Sequence, residues 1–258
     1  MDNLTIKKIS KLKEKKYRKI YGKFLIEGEH LVVECLKSKY YKDKIDTILI
    51  REDCERKFKH IKSVNIKIIP ENIFKKISDT VNSQGIAAIV NSQKNDIKNF
   101  SIYKKSGNII PAFDRINDPG NLGTILRTCW WFDVGEIILS KGSVDIFNPK
   151  VIRSTQGAFF NVKIYTEQNL ESVINYFSSI NYNIFAAEQG NEILMDEIKI
   201  DKKNNYLLIF GNEATGLSEE IKNNNKIKKF SIEPFSNCES LNIAIAAGIV
   251  IHHFKTEK

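Results

Sequence analysis

Along residues 23–90, short apolar runs alternate with segments whose apolar positions recur at helical spacing. KFLIEG (Lys23–Gly28) predicts a strand. The EHLVVECLKSK that follows predicts a helix with Leu31, Val32, Cys35 and Leu36 on one face. DTILI, VNIKIIP and GIAAIV predict three further strands; REDCERKFKHIKS predicts a polar helix and ENIFKKISDT a short one. Such alternation predicts a small α/β domain with its own core. A polar stretch without sustained period, NSQKNDIKNFSIYKKSG (Asn91–Gly107), then reads as a linker.

From Asn108 the alternation resumes. Strands are expected at IIPAF, EIILS, FNVKIY, NIFAAE and YLLIF. Helices are expected at Leu122–Phe132, about Pro149–Thr155, and at Leu170–Ser179, Leu217–Asn223 and Ser240–Phe254. The expected division is therefore a first domain over 1–92, a linker over 93–107 and a second α/β domain over 108–258. On a helical wheel Leu122, Ile125, Leu126, Cys129, Trp130 and Phe132 share the core side, while Arg127 and Trp131 fall opposite. The last helix contains the nine apolar or small residues Ile243–Ile251, well short of the ~18 a membrane span needs. Being apolar all round, it predicts a deeply buried helix whose Ala and Gly residues admit close neighbours.

Charge changes the picture. Residues 1–92 hold 21 Lys/Arg against 12 Asp/Glu, and the remainder holds 19 of each, so the whole excess of +9 lies in the first third. Most of it sits in KKISKLKEKKYRKIYGK (Lys7–Lys23). Ammonium and guanidinium groups are what a phosphate backbone recruits, and Tyr17 and Tyr21, interleaved with them, offer faces for base stacking. The alternative is a merely solvated basic helix. The four cysteines, Cys35, Cys54, Cys129 and Cys238, form no CxxC pair and the four histidines no HExxH, so no metal site is expected. Scattered cysteines fit a reducing cytoplasm, and the polar, lysine-rich start lacks the apolar core of a secretory signal.

The thirteen glycines include no GxG, no GxxxxGK[ST] and no GxSxG, which removes the dinucleotide, P-loop and nucleophile-elbow readings. Three loops at strand ends are unusual instead. Asp118-Pro119-Gly120-Asn121 turns the chain from IIPAF into a helix that presents Arg127 away from its own core. In IFGNEATGLSEEI, Gly211 and Gly216 bracket a polar pair at a strand end, as close approach of backbone to ligand requires. In IEPFSNCESLNIAIAAGI, a Pro234 turn leads to Ser240-Leu241-Asn242 at the door of the small-residue helix.

Taken in order, NDPGNLGTILRT, IFGNEATGLS and IEPFSNCESLNIAIAAGI resemble the three motifs of the SpoU (TrmH-like) branch of the SPOUT RNA methyltransferases. NPKVIRSTQGAFF (Asn148–Phe160) and SQGIAAIV extend the similarity over essentially the whole chain. The resemblance implies a C-terminal trefoil-knotted methyltransferase domain and a small N-terminal α/β, ribosomal-protein-like domain that binds the RNA substrate. It implies S-adenosylmethionine as cofactor, with Gly211, Gly216, Ile232, Pro234 and Leu241 at its site. The third loop is one residue short, so either Ile232 or Glu233 takes that contact. It further implies a homodimer and methyl transfer to a ribose 2′-hydroxyl of tRNA or rRNA, with Arg127, Asn121, Glu213, Ser240 and Asn242 as catalytic residues. Arg127 would act across the dimer, either as base or as stabiliser of the developing alkoxide. Asp133 stands where the family more often has glycine. A non-catalytic RNA-binding protein or resistance factor retaining the fold, and a SPOUT base methyltransferase, are the competing readings.

Overall fold

The computed structural model describes residues 6–62, 65–95, 97, 100 and 107–256. They form two compact units: Met1–Gln93 with Asp145–Asn161, and Lys94–Val144 with Val162–Lys258.

The first unit begins with α1 (Ile6–Ser10) and α2 (Lys15–Tyr21), followed by β1 (Lys23–Glu27), α3 (Glu29–Lys37), β2 (Ile45–Arg51), β3 (Ile66–Ile69), α4 (Glu71–Ile77) and β4 (Ile86–Asn91). Its sheet runs β1-β4-β2-β3, antiparallel except for the β2–β3 edge. Alternation along the strands sends Leu25, Leu49, Ala87 and Ile89 to one face, where they pack with Ile9, Leu12, Phe74 and Ile77. The basic segment is therefore not one helix. It is two short ones joined by a 3-10 turn, anchored by buried Ile9, Leu12 and Arg18, with Lys7, Lys8, Lys15, Lys16 and Lys19 exposed. Tyr17 and Tyr21 stack on each other at 5.9 Å, and Lys11 Nζ lies 4.6 Å from the Tyr17 ring centre. The polar helix expected after Arg51 is also absent: Glu52–Cys54 makes a 3-10 turn and irregular turns follow. Among the described residues of that stretch only Phe58 and Ile61 are buried, too few to form the apolar stripe a helix needs.

The second unit holds β5 (Ile109–Phe113), α5 (Pro119–Trp131) and β6 (Glu136–Ser140); α6 (Pro149–Ser154), which belongs to the first unit, comes next. Then follow β7 (Lys163–Gln168), α7 (Leu170–Ser179), β8 (Tyr182–Ala187), β9 (Asn205–Phe210), α8 (Glu219–Lys222), β10 (Lys228–Phe230) and α9 (Ile243–Thr256). Six parallel strands stand in the order β10-β8-β9-β5-β6-β7. All five residues of β5 and of β6 are buried, as parallel strands covered on both faces require. Pro111 sits in β5 because the ladder to β6 starts only at Ala112, directly after it. One face of the sheet packs on α7 and α8 through Val173, Ile174, Phe177 and Ile221. Against the other, Phe254 of α9 meets Phe185 and Tyr206. Phe100, from the stretch expected as linker, is buried in this unit's core; residues 96, 98–99 and 101–106 of that stretch lie outside the described residues.

From β5 the chain runs to β6 and β7 on one side, while β9, β8 and β10 fill the other. The β5–β9 boundary is thus the switch point, where open parallel sheets form a crevice at their carboxyl ends. Register aligns Leu139, Phe113, Phe210, Ala187 and Phe230 across the sheet. The residues that follow them therefore all leave along this edge.

Residues 145–161 complete the first unit. Phe147 and Phe159 pack on Phe24 at 4.7 and 5.9 Å, and Tyr41 meets Phe159 and Phe160 at 5.3 and 5.6 Å. Buried Arg18 pairs with Asp145 at 2.7 Å and donates to the Leu12 and Lys13 carbonyls. Arg153 of α6 pairs with Asp79 at 2.7 Å.

Candidate active site

The β5–α5 loop is held by its own side chains. Asp118 caps α5, its carboxylate accepting from the Asn121 N–H at 2.8 Å, and Pro119 occupies the first helical position, where a missing N–H costs nothing. That fixes the start of α5 and turns Asn121 towards the β9–α8 loop. At its far end Asp133 takes φ +52°, the left-handed conformation that ends many helices. Glycine adopts this conformation without strain, and Asp is among the side chains that tolerate it.

The β9–α8 loop is a tight turn in which Asn212 and Gly216 exchange backbone hydrogen bonds of 2.8 and 3.0 Å. The Asn212 carboxamide oxygen accepts from the N–H groups of Ala214 and Thr215. A Cβ on Gly211 would lie 2.4 Å from the Gly216 carbonyl carbon and 2.5 Å from the Leu217 nitrogen. Glycine is required here first by the approach of two backbones within the loop.

A chain of side chains joins the three loops. Asn242 Nδ2, at the entrance of α9, donates to Asn121 Oδ1 at 3.0 Å; Asn121 Nδ2 donates to Glu213 Oε1 at 3.2 Å. The Glu213 carboxylate also accepts, at 3.4 and 3.5 Å, from the N–H groups of Asp118 and Asn117. Asn242 Oδ1 meanwhile accepts from the Ala244 N–H, capping α9. Three residues singled out from three distant stretches thus meet at the switch point. Ser240 is exposed and its hydroxyl does not join this chain. Arg127 is exposed on α5 with no ion-pair partner among the described residues.

Gly211 and Gly216 meet in the second loop, Ile232 is half-buried just past β10, and Pro234 and Leu241 are exposed. Accessible apolar surface on Ile232 and Leu241, beside turns with backbone polar groups, fits the purine and ribose of a nucleoside cofactor. The side chains that build the edge beneath were not singled out. Asp114, buried, accepts from the Ser218 N–H at 2.9 Å and from Ser140 Oγ at 3.3 Å, tying β5 to α8 and β6. Asn212 Nδ2 donates to the Arg115 carbonyl at 2.6 Å. The available signal was polar residues standing directly after apolar strands. Among the described residues no three His, Cys, Asp or Glu side chains gather as a metal site, and no helix is long and apolar enough to cross a membrane.

Trp130, expected on the core side of α5, is exposed, as is Trp131. Ile245 and Ile249 are exposed on α9, so that helix is not buried on every face of the single chain. Where α5 and α9 pack, a Cβ on Gly248 would make ordinary contact with Thr128 Cγ2 at 3.9 Å.

Comparison with known proteins gives a consistent picture. The profile of the SpoU rRNA Methylase family matches residues 108–252, and that of the MRM3-like substrate binding domain matches residues 3–88. The 23S rRNA (guanosine(2553)-2′-O)-methyltransferase RlmP of Bacillus subtilis is 28% identical over 98% of this chain and 96% of its own. An AdoMet-bound rRNA methyltransferase from Sinorhizobium meliloti superposes with a TM-score of 0.84 at 26% identity, covering 99% of this chain and 95% of that one. A TrmH-family RNA methyltransferase from Porphyromonas gingivalis gives 0.81 at 27% identity, with 98% of each chain covered.

Proposed function

This chain belongs to the SpoU rRNA methylase family, and from that premise we propose that it methylates a ribose 2′-hydroxyl of ribosomal RNA. The observation that carries the reading is the Asn242–Asn121–Glu213 chain at the β5–β9 switch point, joining the three motif loops. S-adenosylmethionine, when bound at the Gly211–Gly216, Ile232–Pro234 and Leu241 loops, supplies the methyl group. Ribosomal RNA is preferred to tRNA because the RlmP relative is named for 23S rRNA.

The chain's own residues supply orientation and charge. Asn121 and Asn242 fix the walls of the crevice, and Glu213 holds the β5–α5 loop against the β9–α8 turn. Ser240, at the rim, donates to the incoming ribose. Arg127, whose guanidinium offers donors and no acceptor, stabilises the oxygen as negative charge develops, and the displaced hydroxyl proton leaves to solvent at the open edge of the crevice. Arg127 does so in the neighbouring subunit of a homodimer. The exposed apolar residues Trp130, Trp131, Ile245 and Ile249 support such an interface, because scattered single apolar residues are ordinary but a tryptophan pair is costly to leave wet. The knotted passage of α9, and a cytoplasmic location consistent with four free cysteines, belong to the same proposal.

Two mutants test it on unmodified ribosomal RNA, with labelled methyl incorporation and the 2′-O-methyl nucleoside as readouts. Arg127→Ala and Glu213→Ala should each be inactive alone. Mixed after subunit exchange, shown by tagged co-purification, they should regain activity, since one site of the heterodimer is then complete. Exchanged but inactive heterodimers would overturn the role across subunits. A base-methylated product would overturn the ribose assignment.

A further inference from the structure

One cation at the catalytic edge has a strained backbone. Arg115, two residues past β5, has φ +56°, a region that costs an L side chain about 1–2 kcal/mol. Two short bonds hold it there: its N–H donates to Ser140 Oγ at 2.7 Å, and its carbonyl accepts from Asn212 Nδ2 at 2.6 Å. Ser140 ends β6 and Asn212 follows β9, so both strands flanking β5 grip this residue. Strain of this kind persists only where the surroundings over-determine it, and it gathers at functional sites.

The result is a guanidinium fixed at the mouth of the crevice. Its Nε and Nη2 donate to Asp114 at 3.2 and 3.4 Å, and the side chain is 41% exposed. Asp114 also has the Ser218 N–H and Ser140 Oγ as donors, so its carboxylate does not depend on Arg115 alone. A guanidinium carries five N–H donors; those not turned to Asp114 have no protein partner among the described residues. Gly142, where a Cβ would lie 3.7 Å from Arg115 Cγ, flanks the stem. Asp118 and Glu213 stand on the same edge and repel a phosphate, and Lys141, which follows β6 directly, is exposed.

We propose that Arg115 binds a phosphate of the RNA strand whose ribose enters the crevice, an assignment that rests on the methyltransferase reading above. The planar fork matches two phosphate oxygens at once, which fixes the strand as well as attracting it. Asp114 holds the fork in place, and the gripped backbone prevents it from following the strand outward.

The full-length chain, Arg115→Gln and Arg115→Lys are compared on an unmodified ribosomal RNA transcript. Removing one phosphate contact should flatten the plot of log affinity against log salt by about 0.7 for single-stranded RNA. Arg115→Gln should show that change and a KM for RNA raised about tenfold, the loss expected for one charge-assisted bond. Its affinity for S-adenosylmethionine should stay as in the unaltered chain. Arg115→Lys should keep the slope but lose about tenfold in kcat/KM, because the charge survives and the fork does not. An unchanged slope with weakened S-adenosylmethionine binding would assign Arg115 to the cofactor carboxylate and overturn the proposal. An unchanged slope with only a lower Tm would reduce it to a partner for Asp114, and overturn it too. If Arg115→Gln fails to fold, unchanged kcat/KM in Arg115→Lys has the same force. Should the unaltered chain methylate no ribose, the methyltransferase reading fails, while the slopes still decide the phosphate contact.

Discussion

Residue by residue, several positions are occupied for reasons of backbone geometry before chemistry enters. Gly211 reads as a ligand-approach glycine, yet its absent Cβ first makes room for the Gly216–Leu217 backbone. Any side chain there should therefore disturb the loop whether or not a cofactor is present. Asp133 illustrates the opposite case, a side chain where glycine would serve better. At φ +52° it carries strain that glycine lacks, partly offset by glycine's greater freedom when unfolded. Asp133→Gly should stabilise the protein by about 0.5–1 kcal/mol, read as a raised denaturant midpoint with unchanged slope. A lower midpoint would show that the Asp side chain contributes more than its backbone costs. The departure from the family pattern was visible as a letter; its meaning required the dihedral.

Elements bounded by a sharp change from apolar to polar were readable from the chain. IIPAF, EIILS and Leu170–Ser179 coincide with β5, β6 and α7 because their apolar blocks end abruptly. The segment after Arg51 was not, since charged residues of good helix propensity fill it while, among its described residues, only Phe58 and Ile61 have a core to reach. On α5 the wheel placed Arg127 and Trp131 outward correctly, but put Trp130 with the core on the strength of hydrophobicity alone. The same error made α9 look buried all round. An apolar side chain announces that it needs cover, not which surface provides it. If a second copy provides it here, Ile245→Glu should yield a monomer by sedimentation and abolish methyl transfer, with the far-ultraviolet spectrum intact. A dimer of unchanged affinity would place the interface elsewhere. The site was legible as three motifs in order; Asp114 and Arg115 were not, because nothing in a strand-end Asp-Arg pair says that Ser140 and Asn212 will close on it.

At the scale of the molecule, the sequence order and the packing order differ. Residues 145–161 lie between two strands of the second unit, yet their apolar side chains complete the first. The pattern gave a helix at about Pro149–Thr155, where α6 stands, but local periodicity cannot name the sheet a helix will meet. One consequence is experimental. Removing residues 1–93 should leave Phe147, Val151, Ile152, Phe159 and Phe160 without partners, producing a soluble but aggregation-prone or an insoluble chain by light scattering. Replacing 145–161 in that truncated chain by a Gly/Ser segment of similar length, long enough for a parallel crossover, should restore a monodisperse protein. Aggregation that persists would show that residues 1–93 protect some other surface. The other consequence concerns birth rather than stability. As the polypeptide leaves the ribosome, residues 1–93 emerge with Phe24 and Tyr41 awaiting rings that are not yet made. At about 5–20 residues per second, synthesis through residue 161 takes on the order of several seconds more. During that interval β5 and β6 have already appeared, so the nascent chain cannot finish one unit before starting the next, and the bond between Arg18 and Asp145 closes only after both have begun to form.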